Sequence, residues 1–149
     1  MNILVSACLL GINCRYDGKG QPNSKVLDLT EKLNVIPVCP EVYGGLKTPR
    51  NPAEIKEGKV VTVFGEDVTE NFLRGAQETL KVARIFKCPY AVLKERSPSC
   101  GFGKVYDGTF SGKIIFGNGV TAGLLDKNGI KIFNENNFEN HIKEVKALR

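Results

Sequence analysis

Four short apolar runs constrain this chain more than any other feature. They are "NILVSA" (2–7), "VIPVC" (35–39), "YAVLK" (90–94) and "IKIFN" (130–134). Each is too short for a core helix, and each is rich in β-branched or aromatic residues, so each reads as a strand. Segments of helical period stand between them. "SKVLDLTEKLN" (24–34) has Ser24 as its cap and Val26, Leu27, Leu29 and Leu33 on one side. "ENFLRGAQETLKVARIFK" (70–87) carries an apolar face of Phe72, Leu73, Ala76, Leu80, Ala83 and Ile85. "GVTAGLLDKNG" (119–129) reads as a short helix, and "NNFENHIKEVKALR" (136–149) as a terminal amphipathic one.

Strands separated by helices imply a mostly parallel sheet covered on both faces. The expectation is an α/β fold: one Rossmann-like domain over residues 1–149, with four to five strands and helices on both faces. A small β-hairpin excursion is expected in "EIKEGKVVTVFGEDVT" (54–69), with "EG" at its turn. Two segments look too rich in turn residues for regular structure. These are "PEVYGGLKTPRNPAE" (40–54) and "GKVYDGTFSGKIIFGNGV" (103–120).

No apolar stretch approaches the roughly 20 residues a membrane span needs. The first run lacks a basic leader and reads as a strand, so a cytoplasmic protein with no membrane association is expected. The net charge of +5 suits an anionic partner or simply a basic surface. Neither a GxGxxG nor a Walker A pattern is present, which leaves the loops free for other chemistry.

That chemistry is suggested by sulfur. The chain has 5 cysteines, with no CxxC, and 1 histidine. In a reducing compartment this points to metal binding, catalysis or burial. His141, on the terminal helix, reads as solvent-facing, which argues against histidine-based zinc sites and Ser–His–Asp triads. Cys8 follows the first strand, Cys39 closes the second and Cys100 lies in the loop after the third. In a parallel sheet those positions share the carboxyl rim, where such folds build their sites. Cys88 precedes the third strand and reads as structural. Cys14 lies in the first loop, as a fourth ligand, a reactive thiol or neither. Three thiolates suit zinc with an open position, or an iron–sulfur cluster; the spacing alone does not separate them. Four irons on three thiolates would leave one iron free to grip a soft donor such as a substrate sulfur.

Five blocks, "VSACLLGINCRYDG", "VCPEVYGGLKTPRNPAEI", "GEDVTENFLRGA", "LKERSPSCG" and "VYDGTFSGK", resemble the thiouracil desulfidase family over the whole chain. The resemblance implies a 4Fe-4S cluster on three cysteines and removal of sulfur from thiolated uracils or thiouridine nucleotides. The family's ligands carry over to Cys8, Cys39 and Cys100, its catalytic glutamate to Glu41 and its catalytic serine to Ser97. Some longer relatives add a C-terminal domain linked to tRNA. This chain ends without one, so a small thiopyrimidine base or nucleotide is expected in place of intact tRNA, with no obligate protein partner.

The reaction expected is a non-redox hydrolysis giving the oxo-pyrimidine and sulfide, with Glu41 as general base and Ser97 orienting the water or the ring. Glu41 has a plainer reading as an ion-pair partner of Arg50, and Ser97, before Pro98, as a turn former. Among cations in or beside rim loops (Arg15, Lys47, Arg50, Lys94, Arg96, Lys104), Arg15 and Arg50 are the expected phosphate ligands. Ser99, Gly44 and Gly45 join the expected substrate-binding set, the glycines chiefly through close backbone approach or positive φ. Tyr16 and Tyr106 are candidates to stack on the pyrimidine. Asp17 and Asp107 read as turn formers. The rival readings are a non-catalytic thiol or metal-binding module (sulfur carrier or redox sensor) and a zinc-dependent hydrolase.

Overall fold

The computed structural model describes residues 1–141. Four strands form a parallel sheet: β1 (Asn2–Ser6), β2 (Asn34–Val38), β5 (Tyr90–Leu93) and β8 (Lys131–Asn134). Their order is β2-β1-β5-β8, and all three pairings are parallel. Alternation along β1 sends Ile3 and Val5 to one face and Leu4 to the other, and both faces are buried. The first face packs on Val26, Leu29, Leu33 and Phe138. The second packs on Leu80, Ala83, Ala122 and Leu125. These come from α3 (Thr69–Ile85) and α4 (Val120–Lys127). The expected doubly covered parallel sheet is therefore found.

Strand order reverses between β1 and β5, because β1 pairs with β2 on one side and with β5 on the other. Such a switch opens a crevice beyond the carboxyl ends of the two strands. The loops that follow β1 and β5 carry Cys8 and Cys100.

The expected hairpin is present as β3 (Ala53–Lys56) and β4 (Lys59–Thr62), turning at Glu57 and Gly58 with φ of 52° and 79°. Several expectations need correction. "SKVLDLTEKLN" is not one helix. It forms a single α-turn, α1 (Ser24–Leu27), and then a 3-10 turn (Asp28–Glu31) that brings the chain round to β2. Its cap is Asn23, not Ser24: the Asn23 side chain accepts the amides of Lys25 and Val26. "PEVY" is helical after all, as α2 (Pro40–Tyr43), with Pro40 in the first turn where its missing N–H costs nothing. "KVY" and "IIF" pair as a second hairpin, β6 (Lys104–Tyr106) with β7 (Ile114–Phe116). On α3, Leu73 and Ile85 are exposed, while Gly75 and Thr79 are buried. Residues 72, 76, 79, 80 and 83 trace the core stripe, and 73 lies about 100° from 72 around the axis.

Gly75 is on that stripe because α2 presses against α3. A Cβ on Gly75 would collide with the Pro40 carbonyl, and one on Gly44 with the Asn71 carbonyl. The Asn71 amide also donates to the Gly44 carbonyl at 2.9 Å. This contact fixes α2, and so the position of Cys39 and Glu41. The terminal helix is described only at residues 138–141, and the rest of that expectation lies outside the described residues. His141 is exposed and stacks on Phe133 at 4.6 Å. Among the described residues no helix is long and apolar enough to cross a membrane.

Candidate functional site

A cavity of about 560 Å³ opens at the carboxyl rim, and Cys8, Cys14, Cys39 and Cys100 all line it. Cys88 lies elsewhere, buried in the cluster under α3 and α4. The three thiols read as ligands, 31 and 61 positions apart in sequence, are therefore brought to one site by topology.

Each is held by backbone geometry. Cys8 is the second residue of the 3-10 turn (Ala7–Leu10) after β1, and its carbonyl accepts the amides of Gly11 at 3.1 Å and Gln21 at 2.8 Å, folding the first loop back on itself. Cys39 caps α2. Cys100 sits in a loop clasped by α4. The carbonyls of Pro98 and Ser99 accept the amides of Val120, Thr121 and Ala122, which are otherwise unpartnered donors of the first helical turn.

The thiols sense their surroundings differently. Burial pushes Cys8 up to about 11, with Cys39 adding and Lys94 and Arg15 opposing. Burial pushes Cys100 up to about 12, against hydrogen bonds from Ser6 and Ser99. Cys39 is pulled down instead, first by a hydrogen bond with the Cys14 thiol and then, against burial, by the Val42 amide and Arg50. Cys14 is raised by the same pairing. When protonated, Cys39 donates to the Cys14 carbonyl at 3.7 Å; as a thiolate it accepts from the Cys14 thiol.

Beside the sulfurs runs a polar chain. Arg50 Nε donates to Glu41 Oε1 at 3.0 Å. Ser99 Oγ donates to Glu41 Oε2 at 2.9 Å. Ser97 and Ser99 hydroxyls lie 3.0 Å apart. A carboxylate only accepts, so with Ser99 donating to it the Ser97 hydroxyl donates to Ser99. Ser97 Oγ also accepts the amides of Ser99 and Cys100, the turn-forming role read as its plainer alternative. Glu41, Ser97 and Ser99 thus share the cavity wall with the cysteines.

Arg15 and Arg50 line the cavity too. Arg50 is 8% exposed, and four of its five N–H groups are taken: by Glu41, Thr48 Oγ1, and the carbonyls of Lys47 and Cys14. It is a strut that joins the first loop to α2, with little left for a phosphate. Arg15 is freer, 3.8 Å from Asp17. Gly44 and Gly45 are not among the cavity-lining residues. Gly44 makes the close approach to α3, and Gly45 has φ of 89°. Asp17 and Asp107 accept amides in their own turns, as expected.

Sequence reasoning missed two wall residues, Glu54 and Phe110, and the ion-pair partner of a third, Lys94. Lys94 pairs with Glu135 at 2.7 Å, both largely buried. Glu54 and Phe110 belong to the two hairpins and meet only in space. Lys94 had been counted only among rim cations; nothing local in the sequence marks the other two.

A family model described as 2-thiouracil desulfurase matches residues 3–137. The "Uncharacterized protein YbbK" of Bacillus subtilis (strain 168) is 47% identical over 144 residues, covering 90% of this chain and 95% of that protein. A solved structure, titled as the 4Fe-4S-dependent thiouracil desulfidase TudS, matches with a TM-score of 0.91 and 41% identity, over 98% of both chains. The rim of thiols, the carboxylate beside them and these likenesses agree: the chain belongs to the 2-thiouracil desulfurase family.

Proposed function

We propose that this chain is a thiouracil desulfidase that holds a 4Fe-4S cluster on Cys8, Cys39 and Cys100. It exchanges the sulfur of a thiolated pyrimidine for oxygen from water. The balance is thiocarbonyl plus water giving carbonyl plus hydrogen sulfide, with no electron donor or acceptor. The carrying observation is that these three thiols line one cavity at the switch point of the sheet. TudS supports the same reading, being described as cluster-dependent and 41% identical to this chain.

The donor set fits a cluster better than a zinc ion. Three thiolates without histidine suit iron–sulfur ligation, and the chain's one histidine, His141, does not line the cavity. When bound, the cluster supplies a Lewis-acidic iron with a vacant position for the thiocarbonyl sulfur.

The chain's own groups do the rest. Glu41 takes the proton from the attacking water. Arg50 fixes Oε1, so the carboxylate cannot swing away, and Oε2 stays on the serine side. Ser99 holds that oxygen, and Ser97, its hydroxyl taken up by Ser99 and two loop amides, holds Ser99 in place in turn. The cavity is of the size that small-molecule sites have, which supports a base or nucleotide as the substrate.

The test is purification without oxygen, quantification of iron and sulfide, and loss of the thiouracil ultraviolet band with release of uracil and sulfide in equal amounts. A cluster-loaded protein that leaves the free base, the nucleoside and the monophosphate unchanged would contradict the proposal.

A further inference from the structure

A buried carboxylate outside the cysteine site reaches into the cavity wall. Glu54 on β3 is 9% exposed, and its Oε1 accepts the amides of Gly108 at 3.0 Å and Phe110 at 3.1 Å. Both amides belong to the loop between β6 and β7. Glu54 thereby pins that loop against the first hairpin, and Phe110 comes to line the same cavity as the cysteines.

Phe110 is held there in an unfavourable conformation. Its φ is 56°, in the left-handed region that favours glycine. Among the described residues, four non-glycine residues have positive φ. Glu57 is in the two-residue β3–β4 turn and Lys87 follows the end of α3, both ordinary places for it, and Phe110 lies in the longer loop of the β6–β7 hairpin. The other two, Arg96 and Phe110, both line the cavity. Phe110 also belongs to neither hydrophobic core cluster. A bulky ring therefore stands where glycine would be less strained, and core packing does not employ it. Strain of this kind gathers at sites where it positions something.

We infer that Phe110 is a specificity-determining residue, its ring covering the flat face of the substrate heterocycle, and that Glu54 is the positioning residue that holds it. The inference rests on the reading of the substrate as a thiopyrimidine. An aromatic ring offers a π-face and no hydrogen bonds, so it favours planar cyclic thiocarbonyls over open-chain thioamides with the same sulfur chemistry.

The test uses the anaerobically purified, cluster-loaded enzyme. Phe110→Leu and Phe110→Gly are assayed on 2-thiouracil and thioacetamide, with binding of 2-thiouracil and of the product uracil followed by calorimetry. Both substitutions should raise KM for 2-thiouracil about tenfold, with kcat changed far less, and weaken uracil binding similarly. Phe110→Gly, freed of the positive-φ cost, should melt at or above Phe110→Leu. Glu54→Gln should speed amide exchange at Gly108 and Phe110 and raise KM in the same direction. Unchanged KM and uracil affinity in both Phe110 variants would overturn the inference, as would Phe110→Gly melting far below Phe110→Leu, or the whole loss appearing in Tyr106→Leu instead. Pyrimidine binding that depends on Phe110 without sulfide release would support this inference and contradict the desulfidase reading. Turnover indifferent to Phe110 would do the reverse.

Discussion

Arg50 and Glu41 form a 3.0 Å ion pair in which both side chains are largely withdrawn from water, at 8% and 17% exposure. The same guanidinium donates to the Cys14 carbonyl at 2.8 Å, and the Arg50 amide donates to the Tyr16 carbonyl. One residue thus ties the first loop, α2 and the carboxylate together. Removing it strands a buried charge, so Arg50→Ala should cost about 3–5 kcal/mol in urea unfolding. Arg50→Lys keeps the charge but not the fork, and should still lose about 1.5–3 kcal/mol. Wild-type stability in Arg50→Lys, with only nucleotide KM raised, would return Arg50 to the phosphate role expected from sequence.

The two serines should separate by their effects. Ser97 Oγ accepts the amides of Ser99 and Cys100, so Ser97→Ala leaves two donors in the loop unmatched and should cost about 1–3 kcal/mol of stability. Ser99 donates to Glu41. Ser99→Ala should lower kcat about tenfold or more while KM for thiouracil stays near its wild-type value. Steady-state kinetics beside urea titration of both variants checks the pair. The reverse pattern would show that the carboxylate needs no serine to hold it.

The α2–α3 contact predicts an effect far larger than glycine chemistry alone. Gly44→Ala and Gly75→Ala each place a methyl group against a backbone carbonyl, Asn71 and Pro40 respectively. Overpacking of this sort costs about 1–3 kcal/mol, occasionally more, and here it also displaces the helix bearing Glu41. Gly123→Ala, inside α4 with only the Asn118 side chain at 3.6 Å, should instead stabilise by about 0.5–1 kcal/mol when all three variants are compared by thermal melting.

Much of this was readable from sequence because it rests on short-range pattern. Four strands, the β3–β4 turn and the rim positions of the cysteines follow from apolar runs and their order. α2 was hidden because Pro40, Gly44 and Gly45 look like loop punctuation. In fact the proline sits where a helix tolerates it, and Gly44 admits a neighbouring backbone. The sequence offers Arg50 as a phosphate ligand or as the ion-pair partner of Glu41, and the pair is present; its further ties, to the Cys14 and Lys47 carbonyls, are to backbone atoms that no side-chain pattern reveals. Glu54 and Phe110 are 56 residues apart and joined through an amide, so neither marks the other in the sequence.

Acid should weaken the fold partly through Asp67. Its carboxyl is held below the usual range by hydrogen bonds from the Thr69 hydroxyl and amide at the start of α3. A depressed carboxylate stabilises the fold above its unfolded pKa, near 3.9, and loses that contribution as pH falls through the lower folded value. Asp107 behaves alike, through Thr109. Asp67→Asn should therefore flatten the acid limb of a stability–pH curve between pH ~5 and ~2. An unchanged limb would remove Asp67 from the account.

The most direct measurement is iron content across single cysteine variants purified without oxygen. Wild type should carry about four irons per chain. Cys8→Ser, Cys39→Ser and Cys100→Ser should each lose the brown chromophore and nearly all iron, while Cys88→Ser, altered in the core beneath α3 and α4, should keep both. Full iron in any of the first three variants, or loss of iron confined to Cys88→Ser, would contradict the assignment of the rim thiols as the cluster's ligands.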